Sequence, residues 1–183
     1  MNPVIAAIEE HGLLLLQDKT LPNAVTVVTG EHVHGSWWAH PRSHEIFRIV
    51  DDASDDPDVL SAKLVSRKVT FVHRRLWPAL FAVGNAREPW QTSGLSRQSA
   101  DLLRRISNER EIRASGGSAK QLEERLLVRS EQVHTEAGRH ETVLRQWPQS
   151  RMSVDKARAR LEEAVFAIGG SARLLPWNRV TRS

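Results

Sequence analysis

The sequence predicts an α+β fold that is mostly helical and carries short β-hairpins. Two observations lead to this prediction: several helix-forming stretches begin at a capping residue and end at glycine, and two short stretches alternate apolar and polar residues. The chain has 183 residues, of which 40% are hydrophobic and 26% charged, as in a globular protein with its own core. It contains no cysteine, so disulfides, thiolate metal sites and a cysteine nucleophile are excluded.

Each predicted helix is recognised by the residues that flank it. Asn2-Pro3 and Gly12 illustrate the pattern, because Asn caps a helix start, Pro suits the first turn and Gly suits the end. Ser118, with Gln121 three residues later, matches a capping box. The predicted helices are Val4–His11, Leu21–Gly30, Pro41–Ala53, Leu76–Ala86, Ser96–Arg110, a helix capped by Ser118 and Val154–Ile168.

Two β-hairpins are predicted between these helices. In the first, Leu64-Val65 and Val69–Val72 flank a short polar turn at residues 66–68. In the second, the apolar residues from Leu127 to Val133 and from Val143 to Trp147 alternate with polar ones. The residues between these two strands include a glycine that suits a positive φ in the turn.

The charge is unevenly distributed along the chain. The formal net charge is +4, and the 26 basic residues comprise 21 Arg and 5 Lys. Residues 1–60 contain 3 bases and 10 acids (net −7), whereas residues 61–183 contain 23 bases and 12 acids (net +11). Such asymmetry predicts a polyanionic partner, and arginine suits bidentate phosphate contacts. A GC-rich genome would also produce the arginine excess, so that alternative stays open.

The sequence divides into an N-terminal helical and hairpin domain, residues 1–90, and a C-terminal domain, residues 91–183. Its longest leucine run, Leu13–Leu16, is far shorter than the roughly 20 apolar residues of a membrane span. The first residues lack the basic region of a signal peptide. A cytoplasmic protein that does not contact membranes is therefore expected.

The order of elements after residue 96 is helix, short link, helix, strand, turn, strand. Within it, the segment AKQLEERLLVR, residues 119–129, resembles the recognition helix and first wing strand of winged helix-turn-helix proteins of the MarR and ArsR type. The resemblance covers residues 96–147 and departs at Leu126, where the family pattern has glycine. Because a helix at 41–53 also precedes a hairpin, the predicted fold contains one winged-helix unit or two in tandem.

This resemblance implies binding to nucleic acid, most of all to double-stranded DNA. In helix-turn-helix proteins the second helix enters the major groove, and contacts to phosphates supply much of the affinity. A solvated helix face would carry the same charges without binding DNA. The residues expected to contact DNA are Arg67, Lys68, Arg74, Arg75, Lys120, Gln121, Arg125, Arg129, His134 and Arg139.

A cluster of tryptophan and histidine residues is the second candidate site. The segments Gly35–Glu45 and Lys68–Pro78 resemble a family of uncharacterised bacterial proteins over residues 30–90, which implies no mechanism. The side chains are core residues, or they form a pocket for a flipped base in a base-excising enzyme of the glycosylase type. The catalytic candidates are Trp37, Trp38, His40, His44, Glu45, His73 and Arg74.

Two further hypotheses concern metals and self-association. His32, His34, His40 and His44 include potential zinc or nickel ligands, but no motif fixes a site, so neither a metal nor a cofactor is predicted. The acidic run from Asp51 to Asp58 is read as a solvated helix end. A third hypothesis, beside DNA binding and an enzyme, is that the protein is an interaction module that forms a homodimer through its last amphipathic helix.

Overall fold

The computed structural model describes residues 2–134 and 140–178. In these residues the fold is α+β, about 51% helical, with two small three-stranded antiparallel sheets. The helices are α1 Pro3–His11, α2 Ala24–Thr29, α3 Ser43–Ser54, α4 Trp77–Asn85, α5 Pro89–Thr92, α6 Arg97–Asn108, α7 Gly117–Glu124 and α8 Val154–Ala167. The strands are β1 Leu13–Leu15, β2 Val59–Ala62, β3 Thr70–His73, β4 Glu111–Arg113, β5 Arg129–His134 and β6 His140–Arg145.

The first unit, residues 3–73, packs α1, α2 and α3 on a sheet of order β1-β3-β2. Helix α1 begins where predicted, because Asn2 Oδ1 accepts the N–H of Val4 at 2.9 Å. It ends at Gly12, whose φ of 83° is the left-handed conformation of a glycine cap. The Asn2 side-chain amide also donates to the carbonyl of Ile49 at 2.8 Å, which ties α1 to α3.

The predicted strand limits of the first hairpin are wrong. The first strand is β2, Val59–Ala62, and the whole segment 63–69 connects it to β3. Leu64 and Val65 are buried, but irregular backbone carries them into the core. Their apolar character therefore predicts correctly that they are buried, but it does not predict that they lie outside a strand.

The second unit, residues 97–145, has a sheet of the same order, β4-β6-β5. The predicted hairpin of β5 and β6 is confirmed, but β6 begins at His140 and ends at Arg145, earlier than the predicted limits of Val143 and Trp147. The turn at residues 135–139 lies outside the described part of the chain. Strand β4 is a short addition that was not predicted; of its three residues only Ile112 is buried.

The predicted capping box at the start of α7 is wrong. The N-cap residue is Gly116, and no side chain caps the helix. Gln121 Oε1 instead accepts the N–H of Ser96 at 3.0 Å. This amide therefore links α7 to the start of α6 instead of capping its own helix.

Leu126, at the exit of α7, adopts a left-handed conformation with φ of 51°. This is the position at which the winged-helix pattern has glycine, the residue that takes this conformation at least cost. The leucine is only 1% exposed, and its carbonyl accepts the indole N–H of Trp147 at 2.8 Å. Burial and this hydrogen bond offset the backbone strain.

The largest hydrophobic core contains residues from both sides of the predicted domain boundary at residue 90, and it joins the two units. Helix α4 packs against α8, and this core also contains Leu15 of the first unit and Trp147 after the second. A Cβ atom at Gly84 of α4 would lie 2.3 Å from Trp147 Cδ1, so glycine is required there. No helix in the described ranges has both the length and the apolar character needed to cross a bilayer.

Helix α8 begins at Val154 as predicted and ends at Ala167, one residue earlier than predicted, and its apolar stripe is buried within the same chain. Leu161 and Val165 belong to the shared core, whereas Phe166 is 56% exposed. Homodimer formation stays a prediction, but the stripe on which it depended already packs against α4.

Candidate functional site

A cleft with a volume of about 880 Å³ opens between the two units. The first unit lines it with residues 16–19, residues 32–37 and the β2–β3 connection, and the second with Lys120 and Glu124 of α7. A neighbouring cavity of about 570 Å³ shares Leu16, Lys63 and Lys120 with the cleft. The two cavities therefore lie next to each other in the groove between the units, and the second reaches Gly116 at the start of α7.

The floor of the cleft is apolar. It is formed by Leu16, directly after β1, by Val69, directly before β3, and by Val33 and Trp37. Trp37 is buried and lies on a 3-10 turn that stacks its ring on Trp38, with a distance of 3.9 Å between the ring centroids. The first sheet and this aromatic pair thus fix the shape of the floor.

The rim of the cleft is cationic. Five Lys and Arg side chains contribute to it, together with the exposed imidazoles of His32 and His34. Four of these cations come from the first unit and one from α7, so the positive charge depends on how the units pack. We call the set the cationic rim: Lys19, Lys63, Arg67, Lys68 and Lys120.

Three of the rim cations form ion pairs. The Nζ–carboxylate distances are 2.6 Å for Lys68 to Asp18, 2.9 Å for Lys63 to Glu123 and 3.8 Å for Lys120 to Glu124. Within the described residues, Lys19 and Arg67 form no ion pair. These two cations are therefore the ones most available to an anionic ligand.

Asp18 anchors one side of the rim. Burial of its carboxyl raises its pKa, but the Lys68 ammonium and the N–H groups of Thr20 and Leu21 outweigh burial and lower it to about 2. The side chain is therefore ionised at neutral pH. It holds Lys68 at the cleft and fixes the loop between β1 and α2.

The turn that carries Arg67 is strained. Ser66 and Arg67 both have positive φ, 54° and 58°, without being glycine, and such residues cost free energy. The Lys68 N–H donates to the Val65 carbonyl at 2.9 Å, and the Ser66 N–H donates to the Leu174 carbonyl at 2.8 Å. These two bonds hold the turn, so that Arg67 projects from a fixed backbone.

Three of the residues expected to contact DNA line the cleft: Arg67, Lys68 and Lys120. The other described members have partners within the protein. These are Arg74 with Asp58, Arg75 with the Glu9 and Glu10 carbonyls, Gln121 with Ser96, Arg125 with the Gln91 and Ser93 carbonyls, and Arg129 with Glu131. The remaining two, the side chain of His134 and the whole of Arg139, lie outside the described residues.

The catalytic candidates do not converge on one pocket. Of them only Trp37 lines the cleft, and Trp38 beside it is 61% exposed. The other members lie elsewhere: His40 beside Glu31, His44 exposed on α3, Glu45 paired with Arg42, His73 at the end of β3 and Arg74 paired with Asp58.

Sequence reasoning missed two rim cations, Lys19 and Lys63, and did not place His32 and His34 beside them. Lys19 is one of only three Lys and Arg residues among the first 60. A lone lysine in an acidic segment could have marked it as a candidate for binding an anion. Nothing in the sequence pairs it with Lys63, because tertiary packing brings them together. The part of the chain that the structure describes contains no group of three or more His, Asp or Glu residues placed to hold a metal ion.

No family model, no curated protein and no solved structure matches this chain. The function is therefore inferred from the geometry and charge of the cleft.

Proposed function

We propose that the protein binds DNA, with the sugar–phosphate backbone lying along the cationic rim of the cleft. One observation carries this proposal: five basic side chains from two separate units converge on a single groove. Phosphates attract such a groove without regard to sequence, and the release of their counterions drives binding. Lys19 and Arg67 supply the first contacts because neither forms an ion pair in the part of the chain that the structure describes.

The arrangement of strands and helices supports a tandem winged-helix interpretation. Residues 3–73 follow the order helix, strand, helix, helix, strand, strand, with the first strand paired to the third. That is the order of a winged-helix unit. Residues 97–145 repeat the strand order with one helix, rather than two, between the first and second strands. In this interpretation the β2–β3 connection, which carries Arg67 and Lys68, is the wing of the first unit.

The proposed contact differs from the one that the sequence predicts. Lys120, Glu123 and Glu124 of α7 line the groove between the units, and the ion pair of Glu123 with Lys63 joins α7 to the first unit. The face of α7 is therefore turned towards the neighbouring unit. The corresponding helix of the first unit, α3, carries Glu45, Asp51 and Asp52, charges that repel phosphate. The rim, rather than an inserted helix, provides the contact.

The geometry favours DNA binding over base excision. In a base-excising enzyme a carboxylate that is free of other partners activates water at the reacting sugar. The two carboxylates that line the cleft are both engaged: Asp18 binds Lys68 and two backbone N–H groups, and Glu124 lies near Lys120. Both act as counterions to the rim in the described structure.

Fluorescence anisotropy with a labelled oligonucleotide, over a range of salt concentrations, tests the proposal. The double variant Lys19→Gln/Arg67→Gln should lower the affinity, and the slope of log K against log salt should fall by about 2, because each phosphate contact contributes about 1. Lys156→Gln/Arg160→Gln is the matched control, because it also removes one Lys and one Arg. Both residues are exposed on α8, line none of the described cavities and form no ion pair within the described residues.

Three outcomes would contradict the proposal. The first is an absence of affinity for any DNA at low salt. The second is an affinity that does not depend on salt. The third is an equal loss in Lys156→Gln/Arg160→Gln, which would show that the total charge, rather than the cleft, is responsible.

A further inference from the structure

We propose that the cleft accepts one unpaired nucleotide of the bound DNA, whose base lies on the apolar floor and whose phosphate lies at the cationic rim. The inference rests on the proposed function and specifies its ligand. A single strand presents such a nucleotide directly, and a duplex presents one at a bulged position.

The size of the cleft supports this ligand. Its volume of about 880 Å³ falls within the range of roughly 300–1,000 Å³ typical of small-molecule sites. A nucleotide fits into such a volume, whereas a double helix does not enter it. A matched duplex would therefore contact only the rim and leave the floor uncovered.

The pairing of an apolar floor with a cationic rim points to the same ligand. Contacts to phosphate alone require cations but no apolar surface, and here Leu16, Val33 and Trp37 provide such a surface beside them. A nucleotide combines a flat base, which gains from leaving water, with a charged phosphate. Proteins that bind single strands combine a positive groove with aromatic side chains on which bases stack, and Trp37 is the tryptophan that lines this cleft.

Gln17 supplies a polar group at the edge of the floor. Its Nε2 donates to the carbonyls of Val33, at 3.2 Å, and Gly35, at 2.9 Å, so the orientation of the amide is fixed. Its Oε1 has no hydrogen-bond partner within the described residues. This oxygen is thus held ready to accept a hydrogen bond from an exocyclic amino group or a ring N–H of the base.

Three labelled ligands test the inference with the full chain: a matched duplex, the same duplex with one bulged nucleotide, and a single strand of equal length. Extracting a paired base costs free energy that an unpaired base does not require. We expect the bulged duplex or the single strand to bind about tenfold more tightly than the matched duplex. Whichever of these two ligands binds more tightly shows whether the nucleotide comes from a bulge or from a single strand.

A cavity-filling variant separates the floor from the rim. In Val33→Trp the indole occupies the space above the floor. The bulged duplex and the single strand should therefore bind about as tightly as the matched duplex, whose own affinity stays unchanged. Val27→Trp is the matched control, because Val27 is 36% exposed on α2 and lines none of the described cavities. It should keep the full preference.

A fluorescence measurement on the wild-type protein does not depend on how well a variant folds. A 2-aminopurine placed at the bulged position should change its emission when the base enters the cleft, and a paired 2-aminopurine should not. Equal affinity for bulged and matched duplexes, or unchanged emission at the bulge, would overturn this inference while DNA binding stands. An absence of affinity for all three ligands would overturn the proposed function itself.

Discussion

The two sheets share one strand order but lie in different surroundings. In the first, β1 is buried throughout and β3 has three buried residues out of four. In the second, Arg145 of β6 pairs with Glu111 and Glu131 on the neighbouring strands, and Arg113 pairs with Glu141 at 2.7 Å. The first sheet is thus held by apolar burial, and ion pairs in contact with solvent cross the second.

This difference follows from the sequence of the strands. The run Leu13–Leu15 is continuously apolar, as in strands covered on both faces. Strand β5, Arg129–His134, contains one large apolar residue, Val133. Because exposed ion pairs contribute only about 0–1 kcal/mol each, we infer that the second sheet is held mainly by its own small core, which includes Ile112 and Leu144. The two larger cores around the first sheet supply most of the stability of the protein.

The largest expected effect comes from the residue that joins the two regions. Trp147→Ala should lower the free energy of unfolding by about 3–5 kcal/mol, because it empties a buried aromatic site beside Gly84 and removes the hydrogen bond to Leu126. Trp38→Ala, at an exposed tryptophan, should cost far less. Urea unfolding followed by circular dichroism measures both.

The same titration tests whether the regions are coupled. Since the core is shared, one cooperative transition is expected in both variants. Two separate transitions, with only one moved by Trp147→Ala, would show that the two units unfold independently of each other, as two domains.

A smaller effect is expected beside the first sheet. Asp18→Asn should cost about 1.5–3 kcal/mol at neutral pH, because the carboxylate makes charge-assisted hydrogen bonds to Lys68 and to two backbone N–H groups. The lowered pKa of Asp18, about 2 against the usual 3.8, sets the pH dependence. The folded state favours the ionised form, so the contribution is complete above pH 4 and is lost as the pH falls through 2.

The measurement is the difference in unfolding free energy between wild type and Asp18→Asn across this pH range. The difference should shrink as the solution is acidified. A difference that is constant from pH 6 to pH 2 would mean that the side chain stabilises the loop by its shape and not by its charge.

The smallest effect is expected in the second sheet. Arg145→Gln should cost less than about 1 kcal/mol, since the ion pairs with Glu111 and Glu131 are partly solvated. The cost should also shrink in 1 M salt, where surface charges are screened. A loss above 2 kcal/mol that does not respond to salt would show that the second sheet contributes as strongly as the first.

The helices could largely be predicted from the sequence because their boundaries are local. Asn2, Gly12 and Gly30 act through the backbone of their own helices, so neighbouring residues are enough to place them. Strand β2 could not be placed, because Leu64 and Val65 are as apolar as strand residues but are buried by tertiary packing. Strand β4 carries one buried residue, too weak a pattern to detect.

The candidate site was predictable only in part. Arg67 and Lys68 stand out as basic residues in a predicted turn, and Trp37 as part of an unusual cluster. Their convergence with Lys19 and Lys120 depends on how α7 packs against the first unit. No spacing in the sequence encodes that packing, because the residues lie on elements far apart in the chain.

The hydrogen bond from the Ser66 N–H to the Leu174 carbonyl has a consequence for the order of synthesis. The turn that presents Arg67 is made early by the ribosome, but its acceptor belongs to a segment made much later. A nascent chain in which residue 174 is not yet available therefore lacks both the bond that steadies this turn and the part of the shared core that α8 supplies. Under the proposed function, DNA binding would then become fully effective late in translation, after the shared core has closed.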